Sequence, residues 1–243
     1  NELLDKALKL PDNGAVLPYI NFWKGEIAYR ANRLDEAIPY FIAYLKTPVS
    51  QGEVNPANAK YSLGYCYLKK ENYNEAQSFF GQVAGSPQIN ASPLVQDAFI
   101  RNADCYYMNR NYSTAVSMYN KVLDYSWPGA DYATYQKAMV AGVNSSGEKI
   151  SLLNGLVRKF PDSELVPDAN MEIANTYLAD ENFRQSISYL KNVLSSTGND
   201  ALKPRAYLRA GIAYYNLQNN KEALNQYNQL LKLYPNSVEA QEA

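Results

Sequence analysis

The chain has 243 residues, 47% of them hydrophobic, with 23 Lys and Arg against 24 Asp and Glu. That composition suits a folded chain rather than a disordered one, and a net charge of −1 supplies no basic field to displace counterions from nucleic-acid phosphates. No apolar run approaches the roughly 18 residues needed to span a bilayer, and the absence of histidine removes the usual neutral-pH base and every His-dependent metal site.

In chain order, "NELLDKALKL" (1–10) places Leu3, Leu4, Ala7 and Leu8 on one helix face ahead of Pro11, which predicts part of a helix whose partner lies upstream. Five later stretches share one spacing: a small residue, a residue three on, a small residue twelve on, and a large one four further. They read Gly25, Ala28, Ala37, Phe41; Gly64, Tyr67, Ala76, Phe80; Ala103, Tyr106, Ala115, Tyr119; Ala174, Tyr177, Ser186, Leu190; and Gly211, Tyr214, Ala223, Tyr227. Steps of three and four put such residues on one face of each of two helices. The small residues let the helices approach, and the large ones fill the space beside them. Polar segments such as "KKENYN" and "NLQNNK" form the turns. Pro48, Pro87, Pro128, Pro161 and Pro235 mark the ends of the second helices.

A sixth unit is expected between Ala103 and Ala174. Aligning "VRKFPDS" (157–163) with "LKLYPNS" (231–237) puts Lys149 at the place of Ala223. Its helices are predicted over about 132–143 and 148–160, around the turn "GVNSSGE". The hairpins then run over about 16–47, 57–84, 93–125, 131–160, 167–196 and 203–234, with the start of another over 237–243.

The order Leu63, Gly64, Tyr67, Ala76, Phe80, Pro87 resembles the tetratricopeptide repeat pattern, although Lys60 stands where that pattern has Trp. The last hairpin repeats it with Tyr207, Gly211, Tyr214, Ala223, Tyr227 and Pro235. The resemblance covers nearly the whole chain. It implies an all-α fold, a right-handed superhelix of about six helix hairpins in a single domain, with partial repeats at both ends and a longer array beyond them. The anchors step by 39, 39, 34, 37 and 37 residues, longer than the usual repeat of about 34. The longer steps imply extended links such as "TPVSQGEVNPAN", and long steps with links of the "FPDSELVPDA" type are similar to those of bacterial cell-envelope repeat proteins. That similarity favours a periplasmic or envelope-associated location over a cytoplasmic one.

Cys66 and Cys105 occupy equivalent places in neighbouring hairpins. Stacked helices sit about 8–10 Å apart, too far for a disulfide, so both are expected to be buried free thiols. No phosphate-binding loop, dinucleotide motif or carboxylate couple is visible. No catalysis, cofactor or metal is therefore expected.

In the tetratricopeptide family the concave surface is formed mainly by the first helix of each hairpin. The resemblance places its stripe three residues before the anchor, one after and four after. Here the stripe reads Phe22, Glu26, Tyr29; Tyr61, Tyr65, Leu68; Ile100, Asp104, Tyr107; Thr134, Ala138, Ala141; Met171, Asn175, Leu178; and Leu208, Ile212, Tyr215. The candidate partner-binding residues are Phe22, Tyr29, Tyr61, Tyr65, Ile100, Tyr107, Met171, Leu208 and Tyr215. Two readings stand side by side: a groove for a peptide or protein, and packing between neighbouring repeats. A carboxylate-clamping set of Lys, Arg and Asn is not present on the stripe, where only Asn175 fits. A non-catalytic binding scaffold is the expected function. Glycan capture, or an auxiliary part of a larger enzyme or regulator, is the alternative.

Overall fold

A computed structural model of the protein describes residues 2–9, 14–197 and 200–242. Pro11 and Ala243, named in the expectations for the two ends, lie outside the described residues. The chain divides into two compact units, Asn1–Pro128 and Gly129–Ala243.

The first unit contains α1 (Glu2–Leu8), α2 (Leu17–Arg30), α3 (Leu34–Lys46), α4 (Pro56–Lys69), α5 (Tyr73–Ala84), α6 (Pro93–Met108) and α7 (Tyr112–Asp124). The second contains α8 (Ala130–Ala141), α9 (Ser146–Lys159), α10 (Val166–Ala179), α11 (Phe183–Ser195), α12 (Lys203–Asn216), α13 (Asn220–Leu233) and α14 (Val238–Glu242). A single 3₁₀ turn precedes α12. No strand occurs among the described residues. Each unit stacks three hairpins, α2–α3, α4–α5 and α6–α7 in one, α8–α9, α10–α11 and α12–α13 in the other. The second helix of one hairpin packs on the first helix of the next, and α4 also touches α2 and α6.

Three of the hairpins close on a fit between a glycine anchor and a ring. A Cβ added to Gly25 would stand 2.8 Å from the Phe41 ring, one on Gly64 2.7 Å from Phe80, and one on Gly211 2.3 Å from Tyr227. Phe41 and Phe80 are fully buried. At the equivalent places of two other hairpins the large residue is Leu190 beside Ala174, and Leu153 where Lys137 replaces the anchor. Leu190 and Leu153 are themselves fully buried. A shorter side chain on the second helix leaves room for a Cβ on the first. This explains why the fourth hairpin lost its small-residue signature and kept its fold.

Five turns use the same device. Asn32, Glu71, Arg110, Glu181 and Gln218 follow the first helix with φ between 55° and 61°, the left-handed region. The next residue's N–H then donates back to the last turn of the helix: Asn72 to Tyr67 O at 2.9 Å, Asn111 to Tyr106 O at 2.8 Å, Asn182 to Tyr177 O at 2.7 Å and Asn219 to Tyr214 O at 2.9 Å. This is a Schellman closure. Asn111 and Asn219 also cap the second helix with their side chains. The fourth hairpin differs: residues 142–145 have no positive φ, and Ser145 caps α9 through the Glu148 N–H. Both its helices begin two residues earlier than predicted, at Ala130 and Ser146.

The long links in the first unit are pinned by side chains. Tyr44 donates its hydroxyl to Val49 O, Tyr19 to Gln51 Oε1 at 2.8 Å, and Val54 is buried. The indole of the buried Trp127 donates to Ile89 O at 2.7 Å.

Gly64→Ala is expected to lose about 1–3 kcal/mol in chemical denaturation, the usual penalty for overpacking. In a Phe80→Leu background the same change is expected to lose less, and an equal loss in both backgrounds would refute the ring fit. Glu71→Gly removes a left-handed strain and is expected to gain about 0.5–1 kcal/mol.

Candidate functional site

The stripe on the first helices varies with position along the helix. At the place three residues before the anchor, Phe22 is 2% exposed, Ile100 4%, Met171 3% and Leu208 8%. These four side chains are core. Tyr29, Tyr61, Tyr65 and Tyr107 are half-buried, and Tyr215 is 66% exposed. Of the nine candidates, five therefore retain accessible surface.

In the first unit Tyr61 and Tyr65 belong to a polar network that spacing could not reveal. Both hydroxyls donate to Asp97 Oδ2 on α6, at 2.7 and 2.6 Å, and their rings meet edge to face at 5.0 Å. Arg101 sits 3.4 Å from Asp97 Oδ1 and donates to Asp104 Oδ2 at 2.6 Å. Tyr119 donates to Asp104 Oδ1 at 2.7 Å. The chain of bonds runs from α4 through α6 to α7. Burial, reinforced by the Asp97 carboxylate that each hydroxyl serves, pushes Tyr61 up to about 12 and Tyr65 further in the same direction. Cys66 and Cys105 are buried and free, and burial pushes both thiols up to about 12. Thiolate chemistry is thereby disfavoured at both.

Beside this network lies a cavity of about 350 Å³ lined by Trp23, Glu26, Tyr29, Glu53, Asn58 and Tyr61, among others. Glu26 accepts from Ser62 Oγ at 2.6 Å, and Lys69 stands over the Tyr29 ring at 5.0 Å. Burial, then the neighbouring Cys66 and acids, raises the Tyr29 hydroxyl.

In the second unit a cavity of about 790 Å³ lies between α10, α12 and α14. Its stripe residues are Asn175, Leu178, Leu208 and Ile212, joined by Arg205 and Arg209. Arg205 approaches Glu239 at 3.7 Å. Arg209 is held below the usual range by burial and by Arg205 beside it, against an opposing pull from Glu172. Glu172 Oε2 receives Lys149 at 2.7 Å, and its Oε1 receives Asn175 Nδ2 at 3.2 Å. A further cavity of about 840 Å³ is formed by the links over 161–168 and 195–197 and contains no stripe residue. Trp23, Asp97, Arg205 and Arg209 were not singled out from sequence. The i, i+4 spacing of the two arginines was the one visible signal. Among the described residues no cluster of three His, Cys, Asp or Glu could hold a metal, and no helix is long and apolar enough to cross a membrane.

These units are arrays of helix hairpins whose first helices present the cavities and whose second helices close the core. The repeats are tetratricopeptide repeats: one family model of that description matches residues 2–53 and 25–80, another 205–237. In those stretches the chain carries repeats of the tetratricopeptide type. It is similar to the outer membrane protein assembly factor BamD of Caulobacter vibrioides, 26% identical over 203 residues, covering 73% of this chain and 66% of that relative. Among solved structures, PilW, a widely conserved type IV pilus biogenesis factor, is 19% identical over 93% of this chain and 97% of its own, with a TM-score of 0.66. YrrB, a repeat protein with an unusual peptide-binding site, is 14% identical over 76% of this chain and 90% of its own, with a TM-score of 0.53. These structural likenesses establish the fold.

The tyrosine network yields an alkaline signature. Tyr61 is raised in the folded state, so the unfolded chain loses that proton first as pH climbs past the ordinary value of about 10. Its contribution is fully present below pH 10 and is lost as pH rises towards about 12. Stability measured across that window is expected to fall less steeply in the Tyr61→Phe, Tyr65→Phe double variant than in the parent. Identical slopes would show that the two phenols titrate freely.

Proposed function

We propose that the chain is a non-catalytic interaction scaffold that takes a peptide or protein partner on the face formed by its first helices, at the bacterial cell envelope. One observation carries the reading: stripe positions line a cavity in each unit, Glu26, Tyr29 and Tyr61 in the first and Asn175, Leu178, Leu208 and Ile212 in the second. Aromatic and aliphatic walls with a few placed polar groups suit a peptide better than bulk solvent. The buried Phe22, Ile100 and Met171 act as the support behind that face, and Tyr29, Tyr107 and Tyr215 as its contact points. The named roles of the relatives, assembly of outer membrane proteins and biogenesis of a pilus, favour a protein partner and an envelope location. The peptide site named for YrrB supports the same use of the fold.

Glycan capture is the second reading. Its one supporting observation is the conjunction of Trp23 and Tyr29 with Glu26, Glu53 and Asn58 in the cavity of the first unit. A glycan array separates the two.

Photo-crosslinking in cells provides the test. A benzoylphenylalanine at Tyr29 or Tyr215 is expected to label a common protein, whereas one at Leu224, 62% exposed on the second helix α13, is not. Tyr215→Ala is expected to weaken capture of that protein about tenfold, the usual loss at an aromatic contact. Labelling from Leu224 alone would overturn the assignment of the face.

A further inference from the structure

The cavity between α10, α12 and α14 holds polar groups that the protein itself leaves without partners. Asn175 Oδ1 is buried and accepts no hydrogen bond, while its Nδ2 is committed to Glu172 Oε1 at 3.2 Å. The carboxylate fixes the orientation of the amide, so the free atom is an acceptor that requires an N–H or O–H. Arg209 is half-buried on α12, and among the described residues no carboxylate stands within ion-pair distance of it. Glu172, the acid it senses, already serves Lys149 at 2.7 Å. Arg205, one turn earlier on α12, has only the 3.7 Å approach to Glu239. Around these groups Leu178, Leu208, Ile212 and Val238 supply an apolar wall.

A ligand that satisfies all of this must bring an anion, a donor and apolar surface together. Resting on the scaffold reading above, we propose that this cavity takes an acidic residue of an extended peptide. Its carboxylate sits on Arg209 and Arg205, a main-chain N–H donates to Asn175 Oδ1, and flanking apolar side chains lie on Leu178 and Ile212. A neutral sugar would serve Asn175 and leave Arg209 without a counter-charge. A multiply charged phosphate would meet Glu239 and Glu242, which form the α14 wall. A single carboxylate fits between these limits, and the two arginines offer the forked geometry it prefers. Arg205 and Arg209 stand six and two residues before Gly211, off the stripe positions, which on α12 carry Leu208, Ile212 and Tyr215.

The test probes the full chain on a cellulose array of nine-residue peptides. Each has a central Asp or Glu between varied apolar residues, beside the same peptides with central Asn, Gln or Lys. Acid-centred peptides are expected to be retained at least tenfold better than their amide partners, with the preference falling as salt rises. Arg209→Gln is expected to abolish the preference and Arg209→Lys to keep part of it, at an unchanged unfolding midpoint. Should Arg209→Gln fail to fold, the acid-to-amide ratio and its salt dependence in the parent chain decide. Equal retention of acids and amides, persistence of the preference in Arg209→Gln, retention of no peptide, or a glycan ligand bound at this cavity each overturns the proposal. If the Tyr29 and Tyr215 crosslinks still identify a protein while the acid preference is absent, the scaffold reading stands and this one falls.

Discussion

In three of the hairpins a glycine on the first helix meets an aromatic ring on the second, and the rest of the hairpin is arranged around that contact. Gly64 against Phe80 shows the logic. The ring stands closer than any Cβ tolerates, so the helix axes can approach and the ring is buried completely. Full burial of a ring of this size stabilises by about 1.5–3 kcal/mol, more than the roughly 1 kcal/mol that a glycine costs inside a helix. The same ring then meets Tyr61 and Tyr65 edge to face, at 6.1 and 5.1 Å between centroids. The contact that closes the hairpin thus also positions the residues above it. Where the ring is absent, as at Leu153, the anchor is released from its size limit and Lys137 is tolerated.

The fold was legible because this contact leaves a mark at fixed spacing. Gly25, Gly64 and Gly211, with rings sixteen residues on, are visible in the bare sequence. The fourth hairpin was found only by counting between its neighbours, since a leucine paired with a lysine carries no distinctive pattern. Its boundaries were misplaced by two residues for a related reason. The other turns end in a left-handed residue, two residues after which the second helix begins, whereas 142–145 closes without one. Non-glycine residues occupy all five left-handed positions, so the glycine that usually betrays such a turn was missing.

The face was legible in outline and not in its depth. Spacing identifies which residues share a side of a helix; it does not say how much of that side a neighbouring hairpin covers. Phe22, Ile100, Met171 and Leu208 are buried in the core, Phe22 against Phe41 and Tyr44 of its own hairpin, while Tyr215 stands clear. Asp97 was invisible as a partner of Tyr61 because the two are 36 residues apart and on different helices. Arg205 and Arg209 were passed over because they flank the stripe rather than occupy it.

The two faces differ in what they have left to give. In the first unit the phenols of Tyr61 and Tyr65 are already engaged with Asp97, and Asp104 holds both Arg101 and Tyr119. A partner there gains area on Trp23 and Tyr29 and few new hydrogen bonds from the tyrosines, because displacing a made bond returns little. In the second unit Asn175 Oδ1 is unsatisfied and Arg209 lacks a close counter-ion. Leaving a buried acceptor unpaired costs about 1–3 kcal/mol. A ligand that pairs those groups recovers it. Charge and hydrogen-bond recognition therefore concentrate in the second unit, and aromatic contact area in the first.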